Sequence, residues 1–426
     1  MSDTTFTVTI DSLSYGGRGV GRRADGKVAF VSHVMPGETV LARVEREHAS
    51  YCTADALKIL EPSPARVTPE CPLFTRCGGC DWQHIPYDVQ VAWKGRILSH
   101  EIARAAGLEG VASDDPVRSE RPYGYRGHVV LQCDGPELGF FRKGTNRLAA
   151  VESCPVLNPR LQGLIPGLRR IIGEEPLAIR SLELHAPQEE VILQARCESS
   201  DGKAITKAME RMHRELGIDG VSFVSLRERR RDHVLGKRSC RYCLAVSGGR
   251  VEISCAFGEF IQANLPVNQA MVGHVVGLAR GAERIVDLYC GSGNFSIPLA
   301  KSAREVVAVE RSRGLVSHGR KSAARNGAGN VVFHDRDVAQ ALRDLGHELK
   351  GADAVVLDPP REGAKEAVRL LPELGATRII YISCNPTTMA RDLKPLLQAG
   401  YGLAGLRLFD MFPQTHHIES VVFLTR

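Results

Sequence analysis

The chain has 426 residues, 43% of them hydrophobic and 24% charged, and this composition excludes a disordered tail and a fibrous protein. No run approaches the roughly 20 apolar residues of a membrane-spanning helix, and the first residues lack the basic start and apolar core of a signal peptide. We expect a cytoplasmic protein of two or three domains with no membrane partner. The net charge of +6 permits a polyanionic partner without requiring one.

Residues 1–62 predict a small β-barrel. Apolar residues alternate with period two in short runs, separated by glycine-rich turns such as Tyr15–Gly21. Small antiparallel barrels of this type often hold nucleic acid on one face. A proline-rich linker from Pro62 to Pro72 then leads into a cysteine cluster, and residues 89–100 have helical spacing.

Residues 63–250 predict a central α+β domain that contains the cysteine cluster. Alternating segments such as 128–132 and 191–195 favour an antiparallel sheet with some helix. The densest basic run of the chain also lies here, and an RNA contact and a solvated charged face explain it equally well. The run consists of Arg227, Arg229, Arg230 and Arg231.

Residues 251–426 predict an α/β domain with a doubly wound, Rossmann-like parallel sheet. Four short apolar strands, at 285–288, 306–309, 354–357 and 379–382, are each followed by a turn and a helix-like stretch. In such sheets ligands bind at the carboxyl ends of the strands.

A glycine-rich turn at 287–294 follows the first of these strands and favours S-adenosylmethionine as the ligand. Glu310 ends the next strand, where it can accept hydrogen bonds from a ribose diol. A dinucleotide site would have a third glycine at Ser296, and Asp287 suits a cationic ligand better than a pyrophosphate. Cys290, inside the turn, is interpreted as a small packing residue.

The turn Asp358–Arg361 closes a later strand and argues against methylation of an amino group. Amino methyltransferases use a similar acid-Pro-Pro turn followed by an aromatic residue that stacks on the base, but here Arg361 takes that place. The same residues could also be no more than a proline turn that ends a strand.

Cys384 ends the apolar strand 378–383 and is the candidate nucleophile. Carbon 5 of a pyrimidine becomes nucleophilic only after a thiolate has added to carbon 6, and a base must later remove the proton on carbon 5. A helix that begins near Pro386 is expected to favour the thiolate. Glu419, before the last strand, is the candidate base, with His416 and His417 as alternatives.

Four cysteines predict a metal or iron-sulfur site, because clustered thiols in a reducing compartment favour metal chemistry over disulfides. The spacing Cys-x5-Cys-Gly-Gly-Cys with a fourth thiol at a distance leaves zinc and iron-sulfur open, and it is not the Cys-x3-Cys-x2-Cys spacing of radical enzymes. The set is Cys71, Cys77, Cys80 and Cys154. A second grouping, Cys240, Cys243 and Cys255, is interpreted as structural.

Taken together, these motifs resemble the RNA (uracil-5-)-methyltransferase family, in its iron-sulfur branch that methylates uridine in 23S ribosomal RNA. The resemblance covers nearly the whole chain and implies a TRAM-like barrel, a 4Fe-4S cluster on the four cysteines and S-adenosylmethionine as methyl donor. It also implies Cys384 as nucleophile, Glu419 as base and Phe260 as a residue that stacks on the flipped uracil. The donor-binding positions it implies are Gln262, Tyr289, Asn294, Glu310, Asp337 and Asp358.

The resulting hypothesis is an enzyme that methylates carbon 5 of a uridine in 23S ribosomal RNA. We expect a monomer that does not act on DNA. One alternative is the same chemistry on a transfer RNA uridine. Another is a non-catalytic RNA-binding iron-sulfur protein in which the barrel and the cysteine cluster form a docking platform.

Overall fold

The N-terminal part of the chain forms a closed five-stranded barrel. This computed structural model describes residues 4–107, 110–174, 178–198, 202–226, 231–247 and 249–426. The barrel strands are β1 (Thr5–Leu13), β2 (Gly19–Arg22), β3 (Val28–Ser32), β4 (Thr39–Glu47) and β5 (Tyr51–Glu61). They close in the order β1-β2-β3-β5-β4, and only β3 and β5 pair in parallel. The predicted barrel is confirmed.

The central part is built on a seven-stranded sheet. Before it, the chain forms α1 (Tyr87–Ala106) and β6 (Asp114–Val117). The elements of the central part are β7 (His128–Asp134), β8 (Glu137–Phe141), β9 (Leu148–Ala150), α2 (Pro159–Glu174), β10 (Ile179–His185), β11 (Ile192–Cys197), α3 (Gly202–Leu216), β12 (Gly220–Ser225) and β13 (Arg231–Gly236). The sheet order is β13-β12-β11-β10-β7-β8-β9, antiparallel except between β11 and β12. Buried residues of α2 and α3 share one apolar core with this sheet.

A two-stranded ribbon, β14 (Ser239–Val246) and β15 (Gly249–Ala256), leads into the C-terminal sheet. The remaining elements are α4 (Leu265–Leu278), β16 (Arg284–Leu288), α5 (Ser296–Leu299), β17 (Glu305–Glu310), α6 (Arg313–Arg325), β18 (Val331–Asp335), α7 (Val338–Asp344), α8 (Gly346–Leu349), β19 (Ala354–Leu357), α9 (Ala367–Leu370), a 3₁₀ turn (Leu371–Leu374), β20 (Arg378–Ser383), α10 (Pro386–Gln398), β21 (Gly402–Phe409) and β22 (Glu419–Thr425).

The C-terminal sheet has the order β18-β17-β16-β19-β20-β22-β21-β6. The strands from β18 to β20 in this order are parallel, whereas β22 runs antiparallel between β20 and β21. The predicted Rossmann-like domain is confirmed. Its inner strands β16, β17, β19, β20 and β22 are almost fully buried because helices cover both faces, which explains their continuous apolar sequence.

The segment between the barrel and the central sheet belongs spatially to the C-terminal sheet. β6 pairs in parallel with β21 at the sheet edge. Helix α1 packs against α10, and its buried residues Ile97, Leu98 and Ile102 share a core with that sheet. The chain therefore enters the C-terminal sheet before it builds the central one.

Helix α1 also carries a fully buried lysine. Lys94 Nζ lies 2.6 Å from Asp410 Oδ1 and donates to the Phe412 carbonyl at 2.9 Å. Removing one partner of such a pair leaves a buried charge without compensation, which typically costs about 3–5 kcal/mol. The pair therefore holds α1 firmly against the loop 410–418 between β21 and β22.

Two features that concern partners are only partly visible in the fold. Arg227, Arg229 and Arg230 of the basic run lie outside the described residues, and Arg231 begins β13. Among the described residues, the helices are all too short or too polar to cross a membrane.

Candidate active site

The predicted nucleophile and base lie opposite each other at one end of the C-terminal sheet. The antiparallel ladder between β20 and β22 ends at the pair Ser383 and Ser420. Cys384 follows the first and Glu419 precedes the second, so they are the next neighbours across the ladder, where opposed Cα atoms lie about 4.5–5.5 Å apart. Glu419 is 4% exposed and Cys384 is half-buried.

The Cys384 thiol is held protonated in the resting protein. Burial raises the pKa of this thiol to about 11, the carboxyl groups of Glu419 and Asp358 raise it further, and Arg361 opposes them. Burial also raises the pKa of Asp358 to about 7 and that of Glu419 well above its usual range. The pocket therefore holds little negative charge at rest, and its groups compete for protons.

The expected help from helix α10 is absent. The helix does begin at Pro386, but its first N–H groups point into the side chain of Asn385. The Asn385 side-chain oxygen accepts hydrogen bonds from the backbone N of Thr387 at 3.1 Å and of Thr388 at 3.4 Å. The expectation of a favoured thiolate at Cys384 is thus wrong for the resting protein, because the helix terminus is already capped.

The turn after β19 is fastened to the first turn of α10. The carbonyl of Arg361 accepts hydrogen bonds from Asn385 Nδ2 and Thr388 Oγ1, both at 3.2 Å. These contacts keep Arg361 and Asp358 near Cys384. The Asp-Pro-Pro-Arg turn therefore contributes one carboxyl group that raises the pKa of the Cys384 thiol and one guanidinium that lowers it.

Replacing Arg361 with glutamine is expected to raise the pKa of Cys384 further, because the guanidinium lowers it. Arg361 is exposed, so solvent screens its charge, and we expect only about threefold slower alkylation of the Cys384 peptide by iodoacetamide near neutral pH. Mass spectrometry of the alkylated peptide measures the rate. Arg361→Lys keeps the charge and should react at the wild-type rate; equal rates for Arg361→Gln and wild type would contradict this assignment.

The two histidines that were alternative bases are placed less favourably than Glu419. Burial lowers the pKa of His417 to about 3, which makes it a weak base. His416 Nδ1 donates to Asp81 Oδ2 at 2.7 Å, so this nitrogen is committed to a protein contact. Glu419 is the better-placed base.

The glycine-rich turn follows β16 and surrounds a buried carboxyl group. Asp287 Oδ2 accepts a hydrogen bond from Ser296 Oγ at 2.5 Å, while its buried Oδ1 has no partner among the described residues. Burial raises the pKa of Asp287 to about 7. Gly293 has φ +95°, and a Cβ there would lie 3.0 Å from Ile297, so the turn requires glycine.

Glu310 lies where the second strand of the sheet ends. Its Oε2 accepts from the backbone N of Gly291 at 3.3 Å, and its Oε1 accepts from the backbone N of Ser312 at 2.8 Å. A carboxylate has about four acceptor positions, so these contacts orient it and still leave capacity for two hydroxyl groups of a ribose.

Tyr289 and Asp337 face the same end of the sheet as Glu310. Burial raises the pKa of Tyr289 to about 12, and the nearby charge of Asp337 adds to the rise. Tyr289 has φ +61°, which is unusual for a residue with a side chain and marks a constrained turn. Asp337 caps helix α7 by accepting from the backbone N of Gln340 at 3.1 Å. The two side chains therefore border one space beside the turn.

Asn294 is engaged by the protein itself. Its Oδ1 accepts from Tyr242 at 3.1 Å and from Asn268 Nδ2 at 2.9 Å, and its Nδ2 donates to Asn268 Oδ1 at 3.0 Å. The side chain thus anchors the glycine-rich turn to β14 and α4. Tyr242 and Asn268 were not predicted from the sequence, because they belong to no recognisable motif.

The strip 260–264 joins the ribbon strand β15 to helix α4. Phe260 is 67% exposed, the largest value among the exposed large hydrophobic residues, and Gln262 is half-buried. Asn264 is buried; its Nδ2 donates to Ser119 Oγ at 2.9 Å, and its Oδ1 caps α4. The strip therefore has a fixed end and presents a solvent-facing aromatic ring.

Four of the twelve cysteines border one cavity of about 210 Å³ between the linker and the central sheet; they are Cys71, Cys77, Cys80 and Cys154. Burial raises the pKa of Cys80 to about 12, and the three other thiols add to the rise, which reflects their proximity. The structure thus brings the predicted ligand set together.

The second cysteine grouping does not converge. Cys240 and Cys255 are a cross-strand pair buried in an apolar core, whereas Cys243 pairs with Glu252. Because successive side chains of a strand alternate between its faces, Cys243 points away from Cys240. Their positions fit structural thiols.

Tyr15, in the barrel loop between β1 and β2, reaches this site although its sequence gives no such signal. Burial raises the pKa of Tyr15, and the charges of Cys384, Glu101 and Glu419 add to the rise. The Tyr15 and His416 rings are in edge contact, with centroids 6.5 Å apart. The barrel therefore borders the end of the sheet where Cys384 and Glu419 lie.

A doubly wound sheet with a glycine-rich turn after its first strand, an acid at the end of its second and an antiparallel final strand defines a Rossmann-like methyltransferase domain. The chain belongs to the tRNA (Uracil-5-)-methyltransferase family, whose model matches residues 200–426, and a TRAM domain model matches residues 2–57. The predicted family and the enzymatic class are confirmed.

Two relatives and one solved structure illustrate this membership. The 23S rRNA (uracil(1939)-C(5))-methyltransferases RlmD of Pseudomonas putida and Alcanivorax borkumensis are each 34% identical, over 97% and 99% of this chain and 92% and 96% of their own. The Pyrococcus abyssi tRNA (uracil-54, C5)-methyltransferase in complex with S-adenosyl-L-homocysteine superposes with a TM-score of 0.78 at 25% identity, covering 98% of this chain and 99% of its own.

Proposed function

We propose that this protein transfers a methyl group from S-adenosylmethionine to carbon 5 of a uridine in 23S ribosomal RNA. The observation that carries the proposal is the opposition of Cys384 and Glu419 beside the glycine-rich turn. The names of the curated relatives support ribosomal RNA as the substrate. In this proposal residues 1–62 bind the RNA, residues 63–250 carry the cysteine cluster and residues 251–426 carry out the transfer, as a monomer in the cytoplasm.

Cys384 acts as the nucleophile in this mechanism. Its thiol loses a proton to a carboxylate of the pocket, and the sulfur then bonds to carbon 6 of the uracil, which makes carbon 5 electron-rich. Asp358, with its raised pKa, is placed to take that proton near neutral pH. When bound, S-adenosylmethionine supplies the electrophilic methyl group that carbon 5 takes.

Glu419 resolves the adduct. Its carboxylate removes the remaining proton from carbon 5, the electrons of that bond restore the double bond between carbons 5 and 6, and the sulfur of Cys384 leaves. Phe260 offers an exposed ring on which a uracil that has left its RNA stack can rest.

The residues proposed to hold the methyl donor fit a cation that carries a ribose. Asp287 offers a buried oxygen without a partner among the described residues, and Glu310 is oriented to accept from a diol. Tyr289, Asp337 and Gln262 are proposed to contact the donor, and Asp358 is proposed to lie at the junction between the donor and the uracil. Asn294 acts by anchoring the turn, since its amide is already engaged.

A methylation assay with purified RNA tests the substrate. Radioactive methyl transfer to a 23S ribosomal RNA transcript is expected, and 5-methyluridine at one or more positions should disappear from ribosomal RNA of cells that lack the protein. The second candidate, a transfer RNA uridine, is favoured by the likeness to the Pyrococcus abyssi tRNA (uracil-54, C5)-methyltransferase. Transfer to tRNA transcripts alone would replace the first proposal with the second.

We further propose a 4Fe-4S cluster on Cys71, Cys77, Cys80 and Cys154. All four border one cavity, yet, among the described residues, no three of these sulfurs lie within 4.8 Å of one another. A zinc ion with bonds of about 2.3 Å holds its four sulfurs about 3.8 Å apart, so the wider set suits a larger inorganic core.

Protein purified without air is expected to be brown, with broad visible absorption and about four irons per chain. Cys80→Ala should lose the colour and most of the iron, because a ligand is removed. Cys133→Ala changes a buried thiol outside the set and is the control. A colourless wild-type protein that contains about one zinc would overturn the iron-sulfur assignment.

A further inference from the structure

The loop 410–418, which leads into Glu419, is held by residues far away in the sequence. The carbonyl of Gln414 accepts from the backbone N of Asp81 at 3.1 Å and of Trp82 at 3.0 Å. The side-chain amide of Gln90 on α1 makes two hydrogen bonds with the same residue. Its oxygen accepts from the Gln414 backbone N at 2.9 Å, and its nitrogen donates to Gln414 Oε1 at 3.0 Å. Gln414 has φ +68°, so these contacts hold a strained turn in place.

A contact between Asp81 and His416 also connects this loop to the residue next to the cysteine set. Asp81 directly follows Cys80, and its Oδ2 lies 2.7 Å from His416 Nδ1. Its other oxygen, Oδ1, lies 2.9 Å from Lys143 Nζ on the hairpin after β8. Asp81 is 8% exposed, so a short, partly buried hydrogen bond fixes the imidazole of His416.

The barrel touches His416 from the opposite side. A Cβ at Gly17 would lie 2.9 Å from His416 Cβ, so this glycine allows the barrel loop to approach closely. Trp82 Nε1 donates to the Gly17 carbonyl at 3.0 Å and fastens the loop there. His416 is therefore enclosed by the barrel loop, the segment after Cys80 and its own turn.

Glu419 lies between this turn and the sheet. As the first residue of β22 it pairs only with Phe409 of β21, whereas Ser420 pairs with both Leu408 and Ser383. On its other side the chain runs through Ile418 and His417 to His416. Ile418 is fully buried in the core of the sheet, so the turn anchored at His416 supports the backbone of Glu419 from the side where the ladder ends.

We infer that the pair of Asp81 and His416 is a positioning device for Glu419, through which the segment that follows the cysteines and the barrel loop together aim the base at the uracil. The inference rests on the proposed function. The inference assigns Asp81 and His416 to a single step, the resolution of the adduct. Glu419 acts only in that step, in which the proton leaves carbon 5 and the sulfur of Cys384 leaves carbon 6. Loosening the pair should therefore slow adduct resolution more than RNA binding or methyl transfer.

The test follows a covalent RNA adduct that carries a radioactive methyl group and survives denaturation. His416→Ala and Asp81→Ala are each expected to reduce kcat about tenfold, leave KM for RNA within about twofold, and accumulate about tenfold more methylated adduct than wild type. Asp81→Asn keeps an acceptor for His416 and should restore most of the rate. Because each alanine variant removes the same contact, the double variant should be no slower than either single one.

Glu348→Ala is the control, since it removes another carboxylate beside a histidine, 3.1 Å from His334 Nε2 at the opposite edge of the sheet. It should accumulate no more adduct than wild type. A fall in kcat without methylated adduct, or a rise in KM alone, in both His416→Ala and Asp81→Ala would overturn the inference. If wild type itself methylates no RNA, the proposed function fails; if wild type is active and only the adduct excess is missing, the inference alone fails.

Discussion

Replacing Cys384 with alanine is expected to abolish methyl transfer and the covalent protein–RNA adduct together. Without a sulfur at carbon 6, carbon 5 of uracil stays too weak a nucleophile to take the methyl group, and no other described thiol adjoins Glu419 at the end of the ladder. We expect a loss of at least about 10⁴-fold in kcat, comparable to removing a catalytic nucleophile in other enzymes. Incorporation of radioactive methyl into RNA measures it.

Two controls separate this loss from unfolding. Cys243→Ser changes another partly exposed thiol, on the ribbon β14–β15, and should keep wild-type activity. The alanine variant should still bind the methyl donor in a calorimetric titration, because the glycine-rich turn is untouched. Retention of more than about one hundredth of the activity in Cys384→Ala would show that this thiol is not the nucleophile.

Replacing Glu419 with glutamine is expected to trap the methylated adduct. Glutamine has nearly the same shape as the carboxyl group, whose raised pKa already favours the neutral form, so the fold should be retained. It cannot take the proton from carbon 5, and we expect kcat to fall about 10³-fold while most RNA chains remain bound to Cys384. A denaturing gel with methyl-labelled RNA shows the trapped species.

The pH dependence of adduct resolution supplies an independent check. A carboxyl group with a raised pKa becomes a base only as pH rises through that raised value, so resolution in the wild type should accelerate as pH rises above the usual range of a glutamate. This acceleration should vanish in Glu419→Gln. Fast, pH-dependent release of methylated RNA by the glutamine variant would assign the proton transfer to another group, such as Asp358.

The local parts of the site could be predicted from the sequence. The turn 287–294 is bounded by an apolar strand and followed by an acid at the next strand end, a pattern that depends on neighbours in the chain. Such a feature can be predicted because residues close in sequence decide it. The sequence also indicates that Cys384 and Glu419 adjoin strands of one sheet, but the antiparallel pairing that sets them opposite each other is visible only in the structure.

Contacts between distant segments could not be predicted in this way. Asp114–Val117 contains two acids and a proline and looks like a loop, yet its backbone pairs with the edge strand β21. Asp81 and His416 are polar residues that could equally well face solvent, so neither segment by itself indicates the hydrogen bond that joins them. The protonation state of the Cys384 thiol was predicted wrongly for a related reason. Burial and two carboxyl groups raise the pKa of this thiol, and the helix end that was expected to lower it is already capped.

The early strand β6 and helix α1 have a consequence for how the protein is made. Both are synthesised long before β21 and α10, the elements that they pack against. During translation the apolar face of α1, with Leu98 and Ile102, lacks its packing partners until the C-terminal elements have left the ribosome. The barrel and the central sheet can fold first, so the C-terminal domain is completed last, next to two parts of the chain that are already folded.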